Sequence, residues 1–248
     1  MVNPNDNNVF IFWVGKEYKV IKFLRALIYH HSAGGKNYTV HFINHENIKD
    51  YVNRIPDYFW KLSLTHQADW LRVQVICKWG GLWLDSDTIV MSDLSEVFDI
   101  LKTKEGFLID EPRKKTSILI NGVFASRPST RLMLEWKNKM EILLESKSKI
   151  KWTEIGEHIL QKIRFQHSGY LSEYLILNAK ETVYPISWGE SYKEFIEKPY
   201  ENYKNLTKDF QPFVMVTSLI YREAEKLSEE EILTKTPLSY FIRKSYQS

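Results

Sequence analysis

Cysteine is almost missing from this sequence, with Cys77 the only one among 248 residues. A single thiol cannot close an intrachain disulfide, so the fold must rest on its core, and a reducing compartment is expected. Long apolar runs are absent as well. No stretch approaches the roughly 20 apolar residues that cross a bilayer as a helix. The opening MVNPNDNN is polar where a secretory signal would turn apolar. A soluble, cytoplasmic protein is expected, at most peripheral at the inner membrane face. Charge of one sign is not in surplus either. Lys and Arg number 34 against 31 Asp and Glu, a formal net charge of +3, and no basic cluster is interleaved with aromatics, which argues against nucleic acid as partner. Of the seven histidines only His41 and His45 stand four apart, and they fall on and just after the strand read over residues 38–44 and not on one face of a helix, so a zinc centre is not expected.

What is there suits one buried domain. A hydrophobic content of 44% over this length supports a single catalytic-sized domain spanning residues 1–248. Residues 9–14 (VFIFWV) read as a buried strand closed by Gly15. Residues 18–31 place Val20, Phe23, Leu24, Leu27 and Ile28 on one face of a helix, and residues 38–44 (YTVHFIN) alternate as a second strand. Strand, helix, strand at this spacing is a βαβ unit, whose parallel strands bind ligands beyond their C-terminal ends. The fold class is therefore α/β, with Trp13 and Val14 at the ligand edge. Eight tryptophans and fourteen tyrosines are read mainly as core packing.

The most informative stretch is residues 66–90, HQADWLRVQVICKWGGLWLDSDTIV. Ala68, Leu71, Val75 and Trp79 recur at helical spacing, and Gly80 is placed to cap that amphipathic helix. Leu82 to Leu84 form a short apolar strand that stops at Asp85 and Asp87, with apolar character resuming at residues 88–90. If the chain stays extended, residues two apart face one side, so both carboxylates would converge on one point. Two like charges there call for a cation, and hard oxygens suit Mn²⁺ or Mg²⁺ with open positions for a substrate's phosphates. An Asp-x-Asp pair alone is common and most often a solvated turn. Asp69 and Arg72, one helical turn apart just upstream, read most simply as an i,i+3 ion pair worth a few tenths of a kcal/mol.

The combination is more specific than its parts. Ala68-Asp69-Trp70-Leu71-Arg72 followed by Gly80-Gly81-Leu82-Trp83-Leu84-Asp85-Ser86-Asp87 resembles the signature of the DXD-motif sugar transferases, closest to the capsular-polysaccharide synthesis type and, in its second aspartate, to the initiating α-mannosyltransferases. The resemblance implies a GT-A type single domain with a Rossmann-like mixed central sheet flanked by helices. Its nucleotide-sugar half would span about residues 1–125 and its acceptor half about residues 126–248. It further implies that Trp13 stacks on the donor base, that Asp69 and Arg72 hold sugar hydroxyls and phosphate oxygens, and that Asn121 bonds the donor sugar near its reacting carbon. Asp87 would hold the metal, with Asp85 on the metal or on the ribose.

The rest of the chain adds weaker signals. Residues 46–64 form a polar, helix-poor connection that could cover the donor. Residues 94–101 read as a short helix and 107–109 as a strand. Asn121-Gly122 interrupts the apolar strand 117–125 and suggests a bulge or a close approach of ligand. Residues 130–146 form an amphipathic helix through Leu132, Trp136, Met140, Leu143 and Leu144. Thr153 and Gly156 resemble a Thr-Gly-Pro segment of the family that serves the acceptor, with Glu157 where proline is usual. Residues 183–188 resemble its late Tyr-Pro strand. After the strand 213–216 related enzymes present a histidine or serine to the metal; here Ser218, Thr217 or water would take that position. Residues 238–248 mix aromatics with Arg243 and Lys244, a tail that could rest on an anionic membrane.

The expected activity is transfer of a hexose from a nucleotide diphosphate sugar, a UDP-sugar ahead of a GDP-sugar, to a glycan or lipid-linked acceptor. Related enzymes retain the anomeric configuration. A haloacid-dehalogenase-like phosphatase would also place Asp-x-Asp at a strand end, but no Gly-Asp-x-x-x-Asp or Asp-Asp follows and residues 68–72 would go unexplained. An EF-hand loop fails because Ile89 and Val90 stand where an acid and a glycine belong. A non-catalytic nucleotide- or sugar-binding module of the same fold is the remaining alternative.

Overall fold

A computed structural model describes residues 2–3, 7–32, 37–113, 116–147, 149–184, 195–196 and 212–247. In chain order the strands are β1 (Asn8–Phe12), β2 (Thr39–Ile43), β3 (Gly81–Leu84), β4 (Thr88–Val90), β5 (Gly106–Pro112), β6 (Ser117–Ser126), β7 (Tyr174–Asn178) and β8 (Phe213–Met215). The helices are α1 (Lys19–Ser32), α2 (Leu64–Trp79), α3 (Ser95–Thr103), α4 (Arg131–Ser146), α5 (Glu157–Gln166), α6 (Ala179–Thr182), α7 (Ser218–Ala224), α8 (Glu229–Thr234) and α9 (Pro237–Gln247). They fall into two compact units that interleave along the chain. One comprises Met1–Val14, Asn37–Leu84 and Glu96–Leu177, the other Gly15–Lys36, Asp85–Ser95 and Asn178–Ser248.

The first unit holds a six-stranded mixed sheet in the order β2-β1-β3-β6-β5-β7. β1 is parallel to both β2 and β3, while β6 runs antiparallel to β3 and to β5. The continuous run NVFIF is buried at every position of β1, as a strand flanked by strands and covered on both faces requires. Phe10, Trp70, Trp83, Phe124 and Trp136 belong to one core cluster, each burial worth roughly 1.5–3 kcal/mol. Phe124 of β6 and Trp136 of α4 meet with ring centroids 5.4 Å apart.

Local chemistry sets the boundaries of α2. Ser63 caps its start, the hydroxyl accepting from the His66 amide at 3.3 Å, and Gly80 ends it at φ 67° with its amide on the Ile76 carbonyl at 2.9 Å. The next residue, Gly81, stands at φ 109° opposite Asn8 of β1. The helix is not amphipathic as its apolar spacing suggests. His66, Gln67, Asp69 and Arg72 are buried with the apolar residues, because polar side chains on the inner side are satisfied within the unit instead of facing water. The connection over residues 46–64 also differs from a polar cover. It contains two short 3-10 turns, Ile48–Asp50 and Asp57–Lys61, whose Ile48 and Phe59 are buried.

The bulge expected at Asn121-Gly122 is present. Between Phe107 and Ile109 of β5 the partner residues on β6 pass from Ala125 to Ile120, so β6 carries three more residues than β5 across that interval. α4 begins where the sequence indicated, with the Thr130 hydroxyl accepting from the Met133 amide at 3.3 Å.

In the second unit β4 and β8 form a two-stranded antiparallel sheet, so residues 88–90 do not continue the central sheet. α1 contributes Val20, Ile21, Leu24, Leu27 and Ile28 to burial. α9 buries Pro237, Leu238, Phe241 and Ile242. The Ser245 hydroxyl donates to the Val90 carbonyl at 2.6 Å and pairs with His31 Nε2 at 2.9 Å. The apolar face of the tail is thus used inside its own unit, and contact of that tail with a membrane finds no support. Among the described residues no helix is long and apolar enough to cross a membrane. Tyr184 donates its amide to the Ala179 carbonyl at 2.7 Å; the rest of the late Tyr-Pro match, residues 185–188, lies outside the described residues.

Candidate functional site

Three of the expected site residues meet in the first unit. Asn121 Nδ2 donates to Asp69 Oδ1 at 2.8 Å, and Arg72 Nη1 donates to the Asn121 carbonyl at 2.7 Å while standing 3.5 Å from Asp69 Oδ1. Arg72 Nε reaches the Ala68 carbonyl at 3.3 Å, and the guanidinium lies over the Trp83 ring at 5.3 Å. The Asp69 and Arg72 side chains are only 7% and 4% exposed. This is no surface ion pair worth a few tenths of a kcal/mol. Breaking one member would leave a buried charge uncompensated, which costs about 3–5 kcal/mol. The bulge in β6 is what makes the network: it turns the Asn121 carbonyl and amide toward α2, where a regular ladder would commit the backbone group to a neighbouring strand.

The start of α5 closes the network. Gly156, the residue before that helix, is buried, and a Cβ built on it would lie 2.2 Å from Asn121 Nδ2 and 3.1 Å from Asp69 Oδ1. Only a glycine lets this backbone lie against the amide and the carboxylate. Glu157 follows as the first helical residue and is half-buried. Burial pushes its carboxyl pKa up, with Glu111 and Asp69 acting in the same sense and Arg113 and Arg72 against it. Sequence resemblance pointed to Thr153 and Gly156 for acceptor contacts. In the structure Thr153 Oγ1 pairs with His158 Nε2 at 3.0 Å within the same segment, and Gly156 seats against Asp69 and Asn121. The glycine flanked by Ile155 and Glu157 was the available signal, but its contact with residues 35 and more positions earlier has no trace in local pattern.

Trp13 and Val14 follow β1 as expected. The Trp13 amide extends the ladder by one bond, to the Ile43 carbonyl at 3.0 Å, and Val14 packs half-buried against the core of the first unit.

The acidic pair belongs to the second unit and takes a different backbone from the extended one expected. The Thr88 amide donates to the Asp85 carbonyl at 3.0 Å, closing residues 85–88 into a tight turn. The reason is local: Asp85 to Asp87 lie between β3 and β4, two strands of different sheets, and Asp and Ser favour such turns. Both aspartates are half-buried. The Asp87 carbonyl accepts from the Val216 amide at 2.7 Å, which sets the end of β8 beside the turn. Ser218 comes two residues later as the exposed first residue of α7. One helical turn on is Tyr221, which sequence reasoning passed over. Burial and then the charge of Asp87 push the Tyr221 phenol up, so it remains a hydrogen-bond donor near neutral pH.

The residues of this turn suit a hard divalent ion. Among the described residues no three His, Cys, Asp or Glu side chains gather as a metal cluster; the turn itself carries two half-buried carboxylates. Magnesium-type ions are typically held by one or two carboxylates, with water and substrate phosphate completing the shell.

Residues 2–174 match the family described as capsular polysaccharide synthesis protein. No curated protein sequence matches the chain. Among solved structures, a glycosyltransferase involved in glycosylation of the major capsid of PBCV-1 is similar at a TM-score of 0.50 and 16% identity, covering 88% of this chain and 97% of that one. The apo form of the glycosyltransferase GlyE of Streptococcus pneumoniae TIGR4 is similar at a TM-score of 0.50 and 13% identity over 98% of this chain and 64% of GlyE, so the chain spans under two thirds of that protein. The mixed sheet flanked by helices is thus a GT-A-like glycosyltransferase fold, and the phosphatase alternative is left without support.

Proposed function

Because the chain belongs to the capsular polysaccharide synthesis family and has the glycosyltransferase fold, we propose that it acts as an enzyme of that kind, a metal-dependent hexosyltransferase. It would move a hexose from a nucleotide diphosphate sugar, a UDP-sugar ahead of a GDP-sugar, to a glycan or lipid-linked acceptor with retention of configuration. The observation that carries this reading is the buried Asp69–Asn121–Arg72 network. A polar network this deep is costly to maintain, and carboxylate, amide and guanidinium together match the hydroxyls and phosphate oxygens of a nucleotide sugar.

The roles divide as follows. Asp87, with Asp85 and Ser218, would hold Mn²⁺ or Mg²⁺, whose charge lowers the cost of the diphosphate leaving group. Asp85 would otherwise bond the ribose. Tyr221, whose phenol pKa is raised by burial and by the charge of Asp87, would donate to a phosphate oxygen. Trp13 would stack on the base, a contact worth about 1–3 kcal/mol, with Val14 beside it. Asp69 and Arg72 would fix the sugar and its phosphate, and Asn121 would bond the sugar near the carbon that is transferred. One catalytic domain would span residues 1–248, and a cytoplasmic location fits the single free thiol.

Calorimetry and thermal shift with a panel of UDP- and GDP-hexoses, each with and without Mn²⁺ or Mg²⁺, test the reading. One nucleotide series should bind only with metal. At 100 times its Kd it should stabilise the protein by about 2.7 kcal/mol, and Asp87→Ala should abolish the response. Equal binding without metal, or an unchanged response in Asp87→Ala, would sink the assignment of the aspartates.

A further inference from the structure

Glu157 is a charged side chain beside the Asp69–Asn121–Arg72 network that no role above uses. Its position follows from Gly156, whose backbone lies so close to Asn121 Nδ2 and Asp69 Oδ1 that no Cβ fits. The first residue of α5 is thereby held beside the network. As the first residue of a ten-residue helix it sits where the helix dipole favours an ionised carboxylate. Among the described residues the charged groups facing it are Glu111 of β5, Arg113 just after that strand, and Asp69 and Arg72 from α2. Arg113 is already engaged by Glu111, with Nε and Nη2 on Oε2 at 2.9 and 2.6 Å. Arg72 is engaged by Asp69 and the Asn121 carbonyl. Both cations therefore already have carboxylate or carbonyl partners of their own. Despite the dipole, the carboxyl pKa is raised, with burial the leading cause. The half-buried charge is a cost to the folded protein, and a cost retained at a polar network suggests use by a ligand.

We propose that Glu157 is a sugar-binding residue, its carboxylate accepting hydrogen bonds from hydroxyls of the transferred pyranose beside Asp69 and Asn121. The inference rests on the reading that this network holds the donor sugar. It names Glu157 as a specificity determinant of that pocket: a carboxylate favours a sugar with free hydroxyls at the contacted positions over the corresponding deoxy sugar, and leaves the nucleotide part of the donor untouched.

Stability supplies a readout that a structural role would move the other way. A carboxyl with a raised folded pKa binds its proton more tightly in the folded state, so its contribution to stability is fully present at low pH and is lost as pH rises through the folded pKa. Glu157→Gln removes that loss. The variant should melt at or above wild type at pH 7, with the difference shrinking toward pH 4.

The test measures Kd for the nucleotide sugar and for the matching free nucleoside diphosphate with Mn²⁺, in wild type, Glu157→Gln and Glu157→Ala. Glu157→Ala should weaken the nucleotide sugar about tenfold or more, the size expected for a hydrogen bond to a charged group. Glu157→Gln should lose part of that, and the free nucleoside diphosphate should bind all three alike. Equal weakening of both ligands, weakening of neither, or a melting temperature of Glu157→Gln below wild type at pH 7 would overturn this inference alone. Failure of the wild type to bind any nucleotide sugar would overturn it together with the proposed function.

Discussion

Gly81→Ala should leave little folded protein. Gly81 opens β3 at φ 109°, where an L side chain is strained, and the added Cβ would lie 2.2 Å from the Asn8 carbonyl oxygen and 3.0 Å from its carbon. These are backbone atoms of the neighbouring strand, which cannot rotate away. Relief would require β1 and β3, two interior strands of the six-stranded sheet, to part. Backbone strain of about 1–3 kcal/mol and overpacking of about 1–3 kcal/mol add to a loss comparable with the lower end of domain stability, about 5 kcal/mol. Gly15→Ala is the matched comparison. Gly15 has φ 100° but nothing within 4 Å of a built Cβ, so only the strain is expected. Soluble yield and urea midpoints of the two variants measure the difference, and equal midpoints would contradict the steric account.

The second large effect is on activity. Gly156 has φ −93° and ψ −102°, with no positive φ to strain a side chain, so Gly156→Ala acts chiefly through the space taken from Asn121 and Asp69. The Asn121 amide must give way, and the 2.8 Å bond to Asp69 goes with it. Stability should fall by about 1–3 kcal/mol, leaving a folded protein. Nucleotide-sugar turnover should fall about 10²-fold, the penalty of misplacing a positioning group by about 1 Å. A variant with wild-type turnover would show that the Asp69–Asn121 bond plays no part in the reaction. Together these two glycines divide the account, Gly81 testing the sheet and Gly156 the site.

Much of the fold could be read before the structure. The apolar run of β1, the helical face of α1, the cap at Gly80 and the start of α4 at Thr130 are local features, written in hydrophobic period and cap chemistry. The Asn121-Gly122 bulge was legible for the same reason, since a polar residue and a glycine rarely interrupt a strand without cause. The site was legible through resemblance to a family, which brought Asp69, Arg72 and Asn121 into one hypothesis before any geometry. The structure brings the three into one hydrogen-bonded network. What stayed hidden was set by distant partners. Nothing near α2 tells that His66, Gln67, Asp69 and Arg72 face inward, because their partners come from β6, the segment before α5 and the first 3-10 turns. Asp85 and Asp87 looked extended because their residue types do not reveal that β3 and β4 lie in separate sheets. The contact of Gly156 with Asn121 and Asp69 stayed hidden because a family motif records positions, not the neighbours a bulge brings to them.

The most direct test of the central claim follows the fate of the sugar. Purified protein is incubated with UDP- and GDP-hexoses and Mn²⁺, and the products are followed by proton NMR of the anomeric signal. The account predicts release of the nucleoside diphosphate only when metal is present, with the sugar first appearing in the anomeric configuration it had in the donor. Release of inorganic phosphate from the substrate, or no cleavage of any nucleotide sugar with metal present, would contradict it.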